Sequence, residues 1–222
     1  MKKSLFSILL SLFALSLFAE KISFSAEEMS GQAGGKSSST ILNGNAFIKT
    51  ESMEISADRI ELTGDNYRYI KAQGNVSGKN TDSKMDFTCE TLEFDRETNI
   101  ASLKGDVCLI DASNEVTANA QMIEYNQGTE VAVLQIKVKL VQKSNVCTGA
   151  YAVYQKKNQL LEISGNAQVR QGSDTFRAQQ ISLNMETQDI KLIGNVKGSV
   201  TETANAPANA ASIPGDESAK KE

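Results

Sequence analysis

The sequence predicts an all-β, repeat-built chain, on three observations. Six short segments recur at about thirty residues, each segment alternates apolar with polar residues, and helical periodicity is missing from residues 39 to 200. The segments are Leu42 to Ala46, Ala72 to Val76, Leu103 to Val107, Leu134 to Val138, Ile163 to Ala167 and Leu192 to Val196. Their central anchors are Gly44, Gly74, Gly105, Ile136, Gly165 and Gly194, separated by 30, 31, 31, 29 and 29 residues. Ile136 has lost the glycine and kept the period.

Each anchor centres a strand. Apolar residues flank it two positions to either side and continue outward on the same parity, as in Ile70, Ala101, Leu161 and Ile190 before it and Ile48, Leu109, Leu140 and Val169 after it. A period of two means one apolar and one wet face, and about nine residues at ~3.3 Å each make an arm of roughly 30 Å. Glycine in mid-strand on the inward parity marks a bend around a narrow interior.

A second kind of arm falls between the anchors. In the first copy Met53, Ile55 and Ala57 share one parity, then Ile60 and Leu62 the other; Met85, Phe87 and Cys89, then Leu92 and Phe94, repeat the slip. A recurrent one-residue slip is what a β-bulge or corner requires if the apolar side is to stay inward. Turn residues separate the arms, among them Gly64 to Asn66, Asp111 to Asn114, Gln142 to Asn145 and Lys156 to Asn158. About eleven arms run from Ser39 to Val200, a quasi-one-dimensional array. A short stretch at Ser25 to Met29 is the one place where a helix is expected.

The remaining segments divide the chain. Lys2 and Lys3 precede an apolar run from Ser4 to Phe18, and Ala19 supplies a small residue for cleavage, so residues 1–19 read as a secretory signal peptide. Residues 20–39, rich in Gly and Ser, read as a flexible lead-in, residues 40–200 as the β domain, and residues 201–222 as a disordered tail.

Composition excludes several functions. There is no His and no Trp among 222 residues, aromatics make up 6%, and 23 basic against 27 acidic residues give a net charge of −4. His-based nucleophilic pairs and His-ligated metals are therefore out, and the basic footprint of a nucleic-acid binder is missing. The carboxylate pairs Asp58 with Glu61 and Glu90 with Glu93 fall at equivalent positions on wet strand faces, which marks surface ladders; no enzyme, cofactor or metal site is expected. Cys89, Cys108 and Cys147 match no metal spacing and read as free thiols, a bridge between two of them being the alternative. Cys108 and Cys147 are expected on one face and Cys89 on the other.

At this point the residues resemble a known family. Repeated L-x-G-N-V and A-D-x-I-x-L elements, best seen from Leu42 through Ile55 to Leu62 and on to Val76, resemble the LptA/OstA-like proteins of Gram-negative lipopolysaccharide transport. The resemblance runs from Thr40 to Val200 and departs from the pattern at Ile136. It implies a twisted β-jellyroll, open at both ends, in the periplasm. Its apolar interior would cradle the acyl chains of lipopolysaccharide or a related glycolipid on the way to the outer membrane. It also implies partner jellyroll proteins at the inner and outer membranes.

On that reading Ile55, Ile60, Phe87, Leu92, Phe94, Leu103, Val107 and Leu109 hold the inward parity and line a lipid groove. The many small inward residues, Ala46, Ala57, Ala72, Ala101, Ala167 and Ala178, favour a groove, although a filled sandwich core has the same alternation. The alternative is a structural or adhesive β-solenoid scaffold without cargo. The outermost arms carry apolar alternation and no Pro, so Leu42, Ala46 and Ile48 at one edge and Ile190, Leu192 and Val196 at the other are expected to form partner edges. These edges would pair head to tail between copies.

Overall fold

The computed structural model describes residues 21–32 and 39–201. The expected signal peptide and tail lie outside the described residues, apart from Thr201. Among the described residues, fourteen antiparallel strands form one open sheet. They are β1 (Ser23–Ser25), β2 (Glu28–Gln32), β3 (Ser39–Lys49), β4 (Met53–Thr63), β5 (Tyr69–Asn80), β6 (Met85–Asp95), β7 (Ile100–Asp111), β8 (Val116–Asn126), β9 (Val131–Gln142), β10 (Asn145–Gln155), β11 (Leu160–Gln171), β12 (Asp174–Asn184), β13 (Ile190–Ile193) and β14 (Lys197–Ser199). From β3 to β13 each strand pairs with the next in sequence.

The anchors work as bulges. Asn43 pairs with Arg59 and Ala46 with Ala57, so Gly44 and Asn45 together face one residue of β4. The same shift recurs after Gln73, Lys104 and Ser164, and opposite Ile136 and Lys137 between β9 and β10. Both residues of every bulge are left-handed: Gly44 and Asn45, Gly74 and Asn75, Gly105 and Asp106, Ile136 and Lys137, Gly165 and Asn166, Gly194 and Asn195 all have positive φ. Asn and Asp tolerate that conformation better than other side chains, which explains why one of them follows five of the six anchors.

The line of bulges is a crease. Turns after β4, β6, β8, β10 and β12 lie along one margin of the sheet, and turns after β3, β5, β7, β9 and β11 along the other. Side chains nonetheless meet across the two margins: Lys156, after β10, reaches Asp111 at the end of β7 at 2.6 Å and the Ser83 carbonyl at 2.8 Å. Asn145 likewise donates to Gln188. The sheet is therefore folded over into two layers joined at the crease. The partners are offset along the array, so the folded sheet is twisted. This is the repeat-built twisted jellyroll, open and unclosed.

Three expectations about the chain's ends and thiols are corrected. The lead-in is structured in part, because β1 and β2 form one more arm beside β3, broken between Ser25 and Glu28 where the other arms crease. The same arm replaces the helix expected at Ser25 to Met29. Cys89 and Cys147 share the buried face, and Cys108, between buried Val107 and Leu109, points outward; all three are free. Asn145 and Cys147 open their arm as Met85 and Phe87 open theirs, which sets Cys147 inward.

Candidate functional site

All eight residues expected to line a groove lie in one apolar cluster, none more than 7% exposed. Cross-strand register sorts them into rows that run the length of the sheet. Ile55, Gly78, Phe87 and Leu109 are successive partners in one layer. Ile60, Ala72, Leu92 and Leu103 are successive partners in the other, continuing through Ile123 and Leu134. Phe94 belongs to the next row toward the margin, between Ile70 and Ala101. Val107 sits at the crease opposite Ala120, where small pairs such as Ala46 with Ala57 and Ala167 with Ala178 let the layers approach. Burying an aliphatic or aromatic side chain contributes about 1.5–3 kcal/mol, so these rows hold the layers together.

The two edges differ from expectation at one end. Leu42, Ala46 and Ile48 are 0–1% exposed because β1 and β2 cover β3, so the first edge is one arm further out. Sequence reading missed this because Gly31, Gly34 and Gly35 made the segment look like linker. On that outer arm Phe24 and Met29 are 46% and 50% exposed. At the far edge β13 and β14, among the described residues, pair only with β12. There Ile190 and Leu192 are half-buried, and Ile193 and Val196 are 47% and 53% exposed.

The outer face is a ladder of short polar contacts. Asn45 donates to Glu27 at 2.6 Å, Asn75 to Asp58 at 3.0 Å and Gln121 to Asp106 at 2.6 Å. Glu93 takes Lys104 at 2.8 Å and Lys71 at 3.5 Å, and the lysines hold its carboxyl below the usual carboxylate range. Of the carboxylates considered as catalytic pairs, Asp58 and Glu93 are thus tied into cross-strand contacts, and Glu61 lies 3.6 Å from Arg59 on its own strand. Burial pushes the Cys89 thiol up to about 11 and the Cys147 thiol up to about 12, so neither is a reactive thiolate.

The sequence reading also missed the polar margin. Thr50, Asn80, Asp111 and Gln142 end successive arms and are 1–6% exposed. They recur at the thirty-residue period and could have been found from it; Asp111 and Gln142 read only as turn residues, and Thr50 and Asn80 carry no signal apart from that period.

An open sheet of bulged repeats, creased over an apolar interior and polar outside, defines a class of jellyroll protein with two unclosed ends. The chain belongs to the OstA-like protein family, which matches residues 21–179. That membership points to a non-enzymatic protein. Among solved structures similar to it is LptH, the LptA homologous periplasmic component of the lipopolysaccharide transport device of Pseudomonas aeruginosa. The two are 12% identical over 82% of this chain and 96% of that one, with a TM-score of 0.26, too low to bear on function. No curated protein sequence matches the chain.

Proposed function

We propose that this protein is a periplasmic carrier that shelters the acyl chains of lipopolysaccharide or a similar glycolipid and passes them toward the outer membrane. The observation that carries this reading is the pair of unbroken apolar rows running from one open edge of the sheet to the other. An amphiphile laid along them keeps its chains dry while its head group stays in water. Because the rows are packed on each other, loading requires the layers to part. The same packing serves a rigid scaffold, and one experiment separates the two. Photo-crosslinking side chains at Phe87, Leu92 and Leu103 should capture lipid in the native host, whereas probes at Glu61, Lys104 and Asp106 should not. Equal capture at both sets, or none at the inward set, would overturn the carrier reading.

The carrier extends by edge pairing between copies and with jellyroll partners at either membrane. The repeat itself supplies a register. The last arm is an anchor arm centred on Gly194, and the first is of the kind that follows an anchor arm, with Glu27 where β4 has Asp58. Transferring the β3–β4 register sets Leu192 opposite Met29, Val196 opposite Ala26, and Gly198 opposite Phe24 of the next copy. The last pair repeats Gly78 with Phe87, where the ring fills the space a Cβ would take. Such a contact does not close and gives open chains of copies. Cysteines at Leu192 and Met29 should join copies into ladders under oxidation, and Pro at Ile190 or Leu192 should abolish concentration-dependent growth in sedimentation.

A further inference from the structure

The polar group buried deepest where the margins meet is Asp111, 1% exposed, with Lys156 at 8%. Each oxygen of the Asp111 carboxylate is satisfied. Oδ1 accepts from Lys156 Nζ at 2.6 Å and from the backbone N–H groups of Ser113 and Asn114 at 3.1 and 3.3 Å. Oδ2 accepts from Asn114 Nδ2 at 2.9 Å and from the Tyr154 hydroxyl at 3.1 Å. Lys156 also donates to the Ser83 carbonyl. Asp111, Asn114 and Ser83 belong to one margin and Tyr154 and Lys156 to the other, so this cluster, like the Asn145–Gln188 contact further along, spans the seam between the layers.

Polar clefts flank the cluster along the seam. One lies between Asn80 and Ser83 on one margin and Asn99 and Gln127 on the other; the second lies between Asn114 and Gln142 on one and Gln159 and Met185 on the other. Seven ion pairs elsewhere lie at the surface, with side chains 21–69% exposed. The Asp111 pair is buried, at 8% and 1%.

We propose that Asp111, Lys156, Tyr154 and Asn114 form a reversible latch on the seam, and that acyl chains enter sideways between the margins when it opens. This rests on the carrier reading. A buried ion pair contributes little net stability compared with apolar residues of similar volume, because desolvation offsets its attraction. Once parted, however, its members regain water, whereas an apolar closure would expose hydrocarbon. Gln142 Oε1, buried beside the latch without a hydrogen-bond partner among the described residues, would also gain water on opening. A seam closed by charge is one that can open and reseal.

The test measures uptake of fluorescently labelled lipopolysaccharide from vesicles by the full chain. Three forms are compared with the native one: Asp111→Asn, the apolar pair Asp111→Leu with Lys156→Met, and Ser83→Cys with Lys156→Cys joined by a short bismaleimide. Circular dichroism confirms that each is folded. Asp111→Asn leaves Lys156 buried beside a neutral amide and should load faster than the native chain. The apolar pair should unfold at the same or higher denaturant concentration yet load roughly tenfold more slowly, and the cross-linked form should not load until its linker is cleaved. A native chain that loads while the cross-linked form loads equally fast overturns the latch alone. A native chain that takes up no probe overturns the carrier reading, and the latch with it.

Discussion

The second and fourth anchors do the same job with opposite residues. At Gly74, φ is 76°, and the Asp58 carboxylate occupies the space where a Cβ would stand, accepting from Asn75 at 3.0 Å. At Ile136, φ is 65°, followed by Lys137 at 54°, and the Ile side chain is 58% exposed. A β-branched residue in that region is strained. A Cβ at this position stands where the Asp58 carboxylate sits at Gly74, and Gln121, the counterpart of Asp58, turns back to Asp106 instead. The bulge is therefore imposed by the sheet. Neighbouring creases on both sides force the fourth repeat to fold where the others do, whatever residue stands there.

If neighbouring packing enforces the crease, the largest loss should come from the core beside it. Leu134, fully buried two residues before Ile136, should cost about 2–5 kcal/mol on replacement by Ala in urea unfolding. A loss smaller than that of any anchor variant would reverse the comparison. Next, Gly74→Ile transplants the fourth anchor into the second repeat and should cost about 1–3 kcal/mol from backbone strain. It should also displace Asp58, which the loss of coupling between Asn75→Ala and Asp58→Ala in that background would report. The reverse change, Ile136→Gly, should stabilise by about 1 kcal/mol, relief of strain outweighing glycine's greater freedom in the unfolded chain.

The smallest effect is expected at a turn contact away from both anchors. Arg68 donates to both oxygens of Asp95 at 2.9 and 2.7 Å and holds that carboxyl well below the usual carboxylate range. A lowered folded-state value means that the stabilisation is present at neutral pH and lost as pH falls from about 4 toward that lower value. Asp95→Asn should flatten the acid limb of the stability profile slightly and leave neutral stability nearly unchanged, the site being partly open to solvent.

Much of this architecture was legible in the primary structure because its signals are local and repeated. Alternation set the inward parity of Ile55, Leu92 and Leu103, the slip at Ala57 and Ile60 located the crease, and the period held even at Ile136. The eight expected groove residues fall on the buried face for that reason. What was not legible depends on partners distant in sequence. Met29 and Phe24 become an edge arm only because β3 offers them hydrogen bonds, a fact that the glycines around them conceal.

Taken alone, the sequence determined the strands, the creases and which side chains face inward, since each follows from residues within one thirty-residue unit. Only the tertiary structure decided which margins meet. Bringing Lys156 onto Asp111, forty-five positions away, depends on how far the folded sheet twists along its length. That twist accumulates over many strands and is written in no single repeat.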